Sequence, residues 1–131
     1  KNSKDLRANL KADGQSEPTF ANAAHHIVES TDPHPDMVLA RQHLANMNID
    51  INDAANGIFL ARSSAVQRTI GKRTKWGSAY PHSRIHTKAY KSQVWKTIRT
   101  AKTRRGTVIK LTALKKQLMK GNMPGAGINW P

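Results

Sequence analysis

The sequence predicts an α+β fold, a mainly helical single domain with two short strands at its centre. Three observations carry this. A chain of 131 residues suits one domain with a modest core. Apolar residues recur at intervals of three and four in four segments, the period of a helix with one buried face. Two stretches, Phe20–Val28 and Gly57–Leu60, are short, apolar and rich in strand formers.

In chain order, Ser3 to Ala12 reads as a helix with Ser3 as N-cap, Leu6 and Leu10 on one face, and Asp13-Gly14 as its stop. A polar linker with Pro18 leads into the first strand, Phe20 to Val28, which carries the adjacent pair His25 and His26. Side chains alternate faces along a strand, so these two rings must point apart. Pro33 and Pro35 make the next stretch a loop. A helix then fits from Pro35 to Met47, with Met37, Ala40, Leu44 and Met47 inward, and His34 and His43 read as bystanders. Residues 48–57 form a polar connection in which Asn56-Gly57 signals a turn at positive φ, before the second strand pairs with the first.

Residues 61–79 read as a basic loop with one helical turn. Trp76, beside Lys72, Arg73 and Lys75, suits either packing or a nucleic-acid contact. The best helix is expected from His82 or Ser83 to Ala101, with His82, His86, Tyr90, Val94 and Ile98 along one ridge and Gly106 as its stop. A last helix from Thr107 to Lys120 turns Leu111, Leu114 and Leu118 inward, and Gly121 to Pro131 is a Gly/Pro tail. The whole chain, 1–131, is one domain, with its core at about 20–101 and a basic helix and tail at 107–131.

Charge narrows the partners. Residues 1–53 hold five Lys/Arg and all eight Asp/Glu, whereas residues 54–131 hold seventeen Lys/Arg and no acid, nets of −3 and +17 that make up the formal +14. Such a surface calls for a polyanion or an acidic protein as partner. A membrane span, which needs about 18 to 20 apolar residues, is absent from the pattern, and the polar start Lys1-Asn2-Ser3-Lys4-Asp5 is not a signal peptide. A chain that starts without Met suits a segment of a longer protein. With no cysteine, any metal must be held by His, Asp, Glu or Asn.

If the pair His25/His26 and the pair His82/His86 meet in space, they bring several imidazoles around one point, enough for a divalent metal with one nitrogen left over as a base. Taken in order, Ala24-His25-His26-Ile27-Val28, then Ile49 to Leu60 with Asn56-Gly57, then His82, His86 and Tyr90 resemble the AHH family of the HNH/endonuclease VII superfamily, toxin nucleases at the C-termini of large bacterial secreted proteins. The resemblance covers roughly residues 20–95; a proline expected after Leu60 is Ala61 here. It implies a ββα-metal core in which His25, His82 and His86 ligate the metal and His26 is the general base. Asn56 would brace the backbone or orient His26.

The expected activity is metal-dependent, largely sequence-nonspecific hydrolysis of phosphodiester bonds, with DNA favoured over RNA. Three imidazoles favour Zn²⁺ or Ni²⁺ for affinity, while Mg²⁺ prefers oxygen ligands; Mn²⁺ is the remaining choice. Arg62, Arg84 and Lys88, near the motifs, are candidates to bind the substrate phosphate. The resemblance further implies delivery from a producing bacterium, action in the cytoplasm of a target cell, and an acidic immunity protein that protects the producer. Two rivals are a non-catalytic nucleic-acid-binding module with a structural metal site, which would close with four protein ligands, and a basic membrane-active toxin, which would need a broad apolar helix face.

Overall fold

The two β-rich stretches pair antiparallel in the computed structural model, which describes residues 2–124. β1 (Asn22–His26) lies beside β2 (Gly57–Ala61), in register from Asn22 opposite Ala61 to His26 opposite Gly57. β1 is shorter than the 20–28 expected. Past His26, the N–H groups of Ile27 and Val28 go to the backbone O and side-chain Oδ1 of Asn56, at 2.8 and 2.9 Å, so a side chain takes over where the ladder stops.

Both faces of this hairpin are covered. Helix α1 (Asn2–Ala12) packs on one face, where Leu6 and Leu10 meet Ala24 and Phe59 in a small buried cluster. The helix begins one residue earlier than expected, so Ser3 lies inside it and is not its cap. Ile58 and Leu60 point the other way into the main core, as alternation requires. That core is made by α2 (Pro35–Asn46), α4 (Lys88–Ile98) and α5 (Arg104–Lys120), with α4 packed between the other two. A short α3 (Ser64–Arg68) supplies the helical turn expected in the basic loop. The inward residues Met37, Ala40, Leu44, Tyr90, Val94, Ile98, Leu111, Leu114 and Leu118 are all buried, as their spacing predicts.

Several boundaries differ from the sequence reading for identifiable reasons. Asn56 closes a 3₁₀ turn (Ala54–Asn56) and Gly57 is extended, with φ −136°. The glycine lies directly against Leu6 of α1, so a Cβ there would force that side chain to shift. The positive φ sits instead at Asn48, φ 57°, which ends α2 with Asn48 N–H on Ala45 O and Ile49 N–H on Leu44 O. Gly106 lies within α5, because Thr103 caps that helix by accepting the Gly106 N–H at 2.9 Å. Gly121, φ 68°, closes α5, and most of the expected tail, 125–131, lies outside the described residues.

The largest correction concerns His82 and His86, which do not share a helix. His82–Arg84 is a 3₁₀ turn, and α4 starts only at Lys88. Thr87, extended at φ −102° and ψ 159°, takes the Tyr90 N–H on its hydroxyl and so caps the helix five residues later than expected.

Candidate metal centre

The alternation of β1 separates its two histidines. His26 lies on the α1 side, where its Nε2 is 2.8 Å from Asn52 Oδ1; Asn52 is held in turn by Asn9 of α1, whose Nδ2 donates to Asn52 O at 2.7 Å. An amide oxygen only accepts, so His26 carries its proton on Nε2 and keeps a lone pair on Nδ1. Asn56, fully buried, does not take that place. Its Oδ1 accepts from Val28 N, and its Nδ2 donates to Val28 O and Ile51 O at 3.1 and 2.9 Å, so it satisfies the backbone where β1 ends.

His25, on the other side, meets the second pair. His25 Nδ1 is 3.1 Å from His82 Nδ1, and His82 Nε2 is 3.1 Å from His86 Nε2. One nitrogen from each of the three rings lies within 4.8 Å of the other two, a group that could hold a metal ion. His25 and His26 open with Glu29, Asp32, His82 and His86 onto one cleft of about 540 Å³.

Proton positions follow from the partners. Tyr90 Oη lies 2.6 Å from Ile27 O and 2.8 Å from His25 Nε2. The carbonyl can only accept, so Tyr90 donates to it and receives the His25 Nε2–H, which leaves His25 Nδ1 bare. Burial holds the Tyr90 hydroxyl well above its usual range, so it stays a donor. Glu29 Oε1, 2.5 Å from His86 Nδ1, accepts the proton of that nitrogen, and Nε2 is the His86 nitrogen turned to His82.

Burial first, and then the neighbouring His86, push the His82 pKa down to about 4. Burial also drives His25 well below the ordinary imidazole value, with His82 and His86 adding to the effect. His25 and His82 are therefore neutral at neutral pH, and neutral imidazole is the ligand form of histidine, so the residues present fit a metal.

The remaining sequence candidates spread apart. Arg62 is four residues beyond Ile58, the partner of His25, which puts it about 13 Å along the hairpin from the cluster. Arg84 lies in the turn between His82 and His86, and Lys88 is the first residue of α4. Trp76 is a packing residue: its Nε1 donates to Phe59 O at 3.0 Å and its ring meets Phe20 edge-on. His34 caps α2 by accepting the Asp36 N–H, and His43 Nε2 is 3.1 Å from Thr107 Oγ1, so both have structural places away from the cluster. The sequence reading assigns Glu29, Asn52 and Tyr90 no part in the chemistry of the site, although Tyr90 belongs to the ridge and to the family pattern. Tyr90 continues the spacing of His82 and His86 and Glu29 follows the His pair closely, while nothing in the pattern singles out Asn52.

No curated protein and no solved structure matches the chain. A family model does, over residues 6–120: AHH, a nuclease family of the HNH/ENDO VII superfamily with conserved AHH. The match extends past the 20–95 of the sequence resemblance to take in most of α1 and all of α5, and Ala24-His25-His26 lies within it. With a two-stranded hairpin, helices on both its faces and three imidazoles converging at its end, the chain belongs to the AHH nuclease family.

Proposed function

We propose that this nuclease is a metal-dependent endonuclease with little sequence preference that hydrolyses phosphodiester bonds, DNA favoured, with His25, His82 and His86 as its metal ligands and His26 as its base. The observation that carries this is the convergence of three imidazoles beside a fourth histidine that opens onto the same cleft. A bound divalent ion would supply positive charge to a phosphate oxygen and to the leaving 3′ oxygen. His26 Nδ1 takes the proton of the attacking water, and Asn52 Oδ1, on Nε2–H, steadies the imidazolium that forms. Asn56 holds the end of β1, and with it the separation between His25 and His26. Arg84 and Lys88, next to the second histidine pair along the chain, are the candidates to bind the substrate phosphate.

The charge of +17 on residues 54–131 supports binding through phosphates rather than bases, so cleavage should fall steeply as salt rises. It also supports an acidic immunity protein as partner, and with the family resemblance it supports a toxin domain delivered by a bacterium into the cytoplasm of a target cell. Among the described residues, no helix is long and apolar enough to cross a membrane.

Incubation of the purified domain with supercoiled plasmid and with RNA, in EDTA and in Zn²⁺, Ni²⁺, Mg²⁺ or Mn²⁺, tests the reading. Nicking of the plasmid that needs metal and stops with EDTA is expected; metal binding without cleavage of either polymer would mean a structural site. Cells expressing the domain alone should die and be rescued by the cognate acidic protein, and harmless expression would end the toxin proposal.

A further inference from the structure

Glu29 differs from the other acids that make ion pairs in this basic chain. Glu17, Asp32 and Asp53 pair with arginines or lysines, whereas Glu29 pairs with the imidazole of His86. Its side chain is 12 % exposed, and its second oxygen, Oε2, is buried with no hydrogen-bond partner. An orphaned carboxylate oxygen is costly to bury. The side chain is not needed to hold its own backbone, because Arg41 Nη1 donates to the Glu29 carbonyl at 2.9 Å. What the carboxylate does touch is His86 Nδ1, the nitrogen on the far side of the ring from the cluster.

We propose that Glu29 is a positioning residue for the metal centre: its carboxylate holds His86 as the Nδ1–H tautomer, so that the bare Nε2 faces His82 and the metal. The proposal rests on the metal-centre reading above. A solvated neutral histidine side chain prefers the proton on Nε2, which would block the nitrogen that faces His82. His86 is the exposed member of the cluster, its side chain 39 % accessible, and stands outside any regular element, so backbone pairing does not set its ring. A carboxylate on the outer nitrogen both orients such a ligand and makes it a better donor.

The test uses the whole chain, stripped of metal, as wild type, Glu29→Ala and Glu29→Gln, each checked for folding by circular dichroism. Long-range ¹H–¹⁵N spectra of the imidazoles should show His86 as Nδ1–H in wild type, shifted toward Nε2–H in Glu29→Ala, and restored in Glu29→Gln, whose amide oxygen still accepts. Calorimetric titration with Zn²⁺ should show affinity falling by about 10- to 100-fold in Glu29→Ala and largely recovered in Glu29→Gln. An unchanged His86 tautomer in a folded Glu29→Ala protein overturns the proposal, as does Zn²⁺ affinity equal to wild type. If wild type itself takes up no metal, the metal-centre reading falls instead, and the tautomer spectra still decide whether Glu29 positions His86.

Discussion

His25 and His26 stand on a strand whose backbone is set by pairing with β2 and by the buried Asn56, whereas His82 and His86 stand on a 3₁₀ turn and the short stretch before α4. The first pair is 1 % and 8 % exposed; in the second, the His86 side chain is 39 % exposed. One half of the site is therefore held by backbone geometry before any metal arrives. The other half is placed by side-chain contacts, to Glu29 and among the imidazoles themselves. The difference teaches that the hairpin half supplies precision and the turn half supplies closure, so changes in the two halves should fail in different ways.

The largest effect is expected in the turn half. His82→Ala or His86→Ala removes a proposed ligand outright, so metal affinity should fall by more than the roughly 100-fold that an outer partner can cost, and excess metal should partly restore cleavage. Metal titration beside the plasmid assay checks this, and unchanged affinity in both variants would remove these residues from the metal site. On the hairpin, His26→Ala should lower cleavage by about two orders of magnitude or more with metal affinity nearly unchanged, the size of a lost general base. If His26→Ala loses the metal and His25→Ala keeps it, the two roles are exchanged.

Asn56→Ala should act through the fold. It deprives the Val28 N–H, Val28 O and Ile51 O of their partner in a buried place, which should cost about 2 to 3 kcal/mol and lower Tm by roughly 10 °C. A Tm within two degrees of wild type, on the scale of about 4 °C per kcal/mol, would mean that the end of β1 is held by something else.

A further effect is on pH. In the metal-free protein His82 has its pKa lowered to about 4, and His25 is also held well below its usual value. The unfolded chain takes up protons on these rings near pH 6.5, and the folded chain does not until lower pH. Their contribution to stability is thus complete above about 6.5 and is lost as pH falls toward 4. Thermal melts in EDTA between pH 8 and pH 4.5 should show Tm declining across that window; a flat profile would show that the cluster accepts protons without cost.

Much of the molecule could be read from residue order. The spacings of Met37, Ala40 and Leu44, of Tyr90, Val94 and Ile98, and of Leu111, Leu114 and Leu118 predict helix faces that are indeed buried, because burial of one face needs only a local period. The strand pair and the opposite facing of His25 and His26 were legible for a related reason, since alternation along a strand is local; that His25 would meet His82 and His86 was carried by the family motif alone. The helix expected over His82 and His86 fails because the four-residue spacing is compatible with a helix without requiring one, and Thr87 offers a stronger cap.

What sequence alone determined, then, is the set of residue types, their periods, the charge imbalance and the family motif, each a property of neighbours along the chain. Only the tertiary structure decided that Asn52 holds His26, that Tyr90 and Glu29 set the protons of His25 and His86, and that Arg62 lies at the far end of the hairpin. Those pairings join residues as far apart as 65 positions. A hydrogen bond forms where two groups meet within about 3 Å in the folded chain, and no period or propensity written along the sequence encodes that meeting.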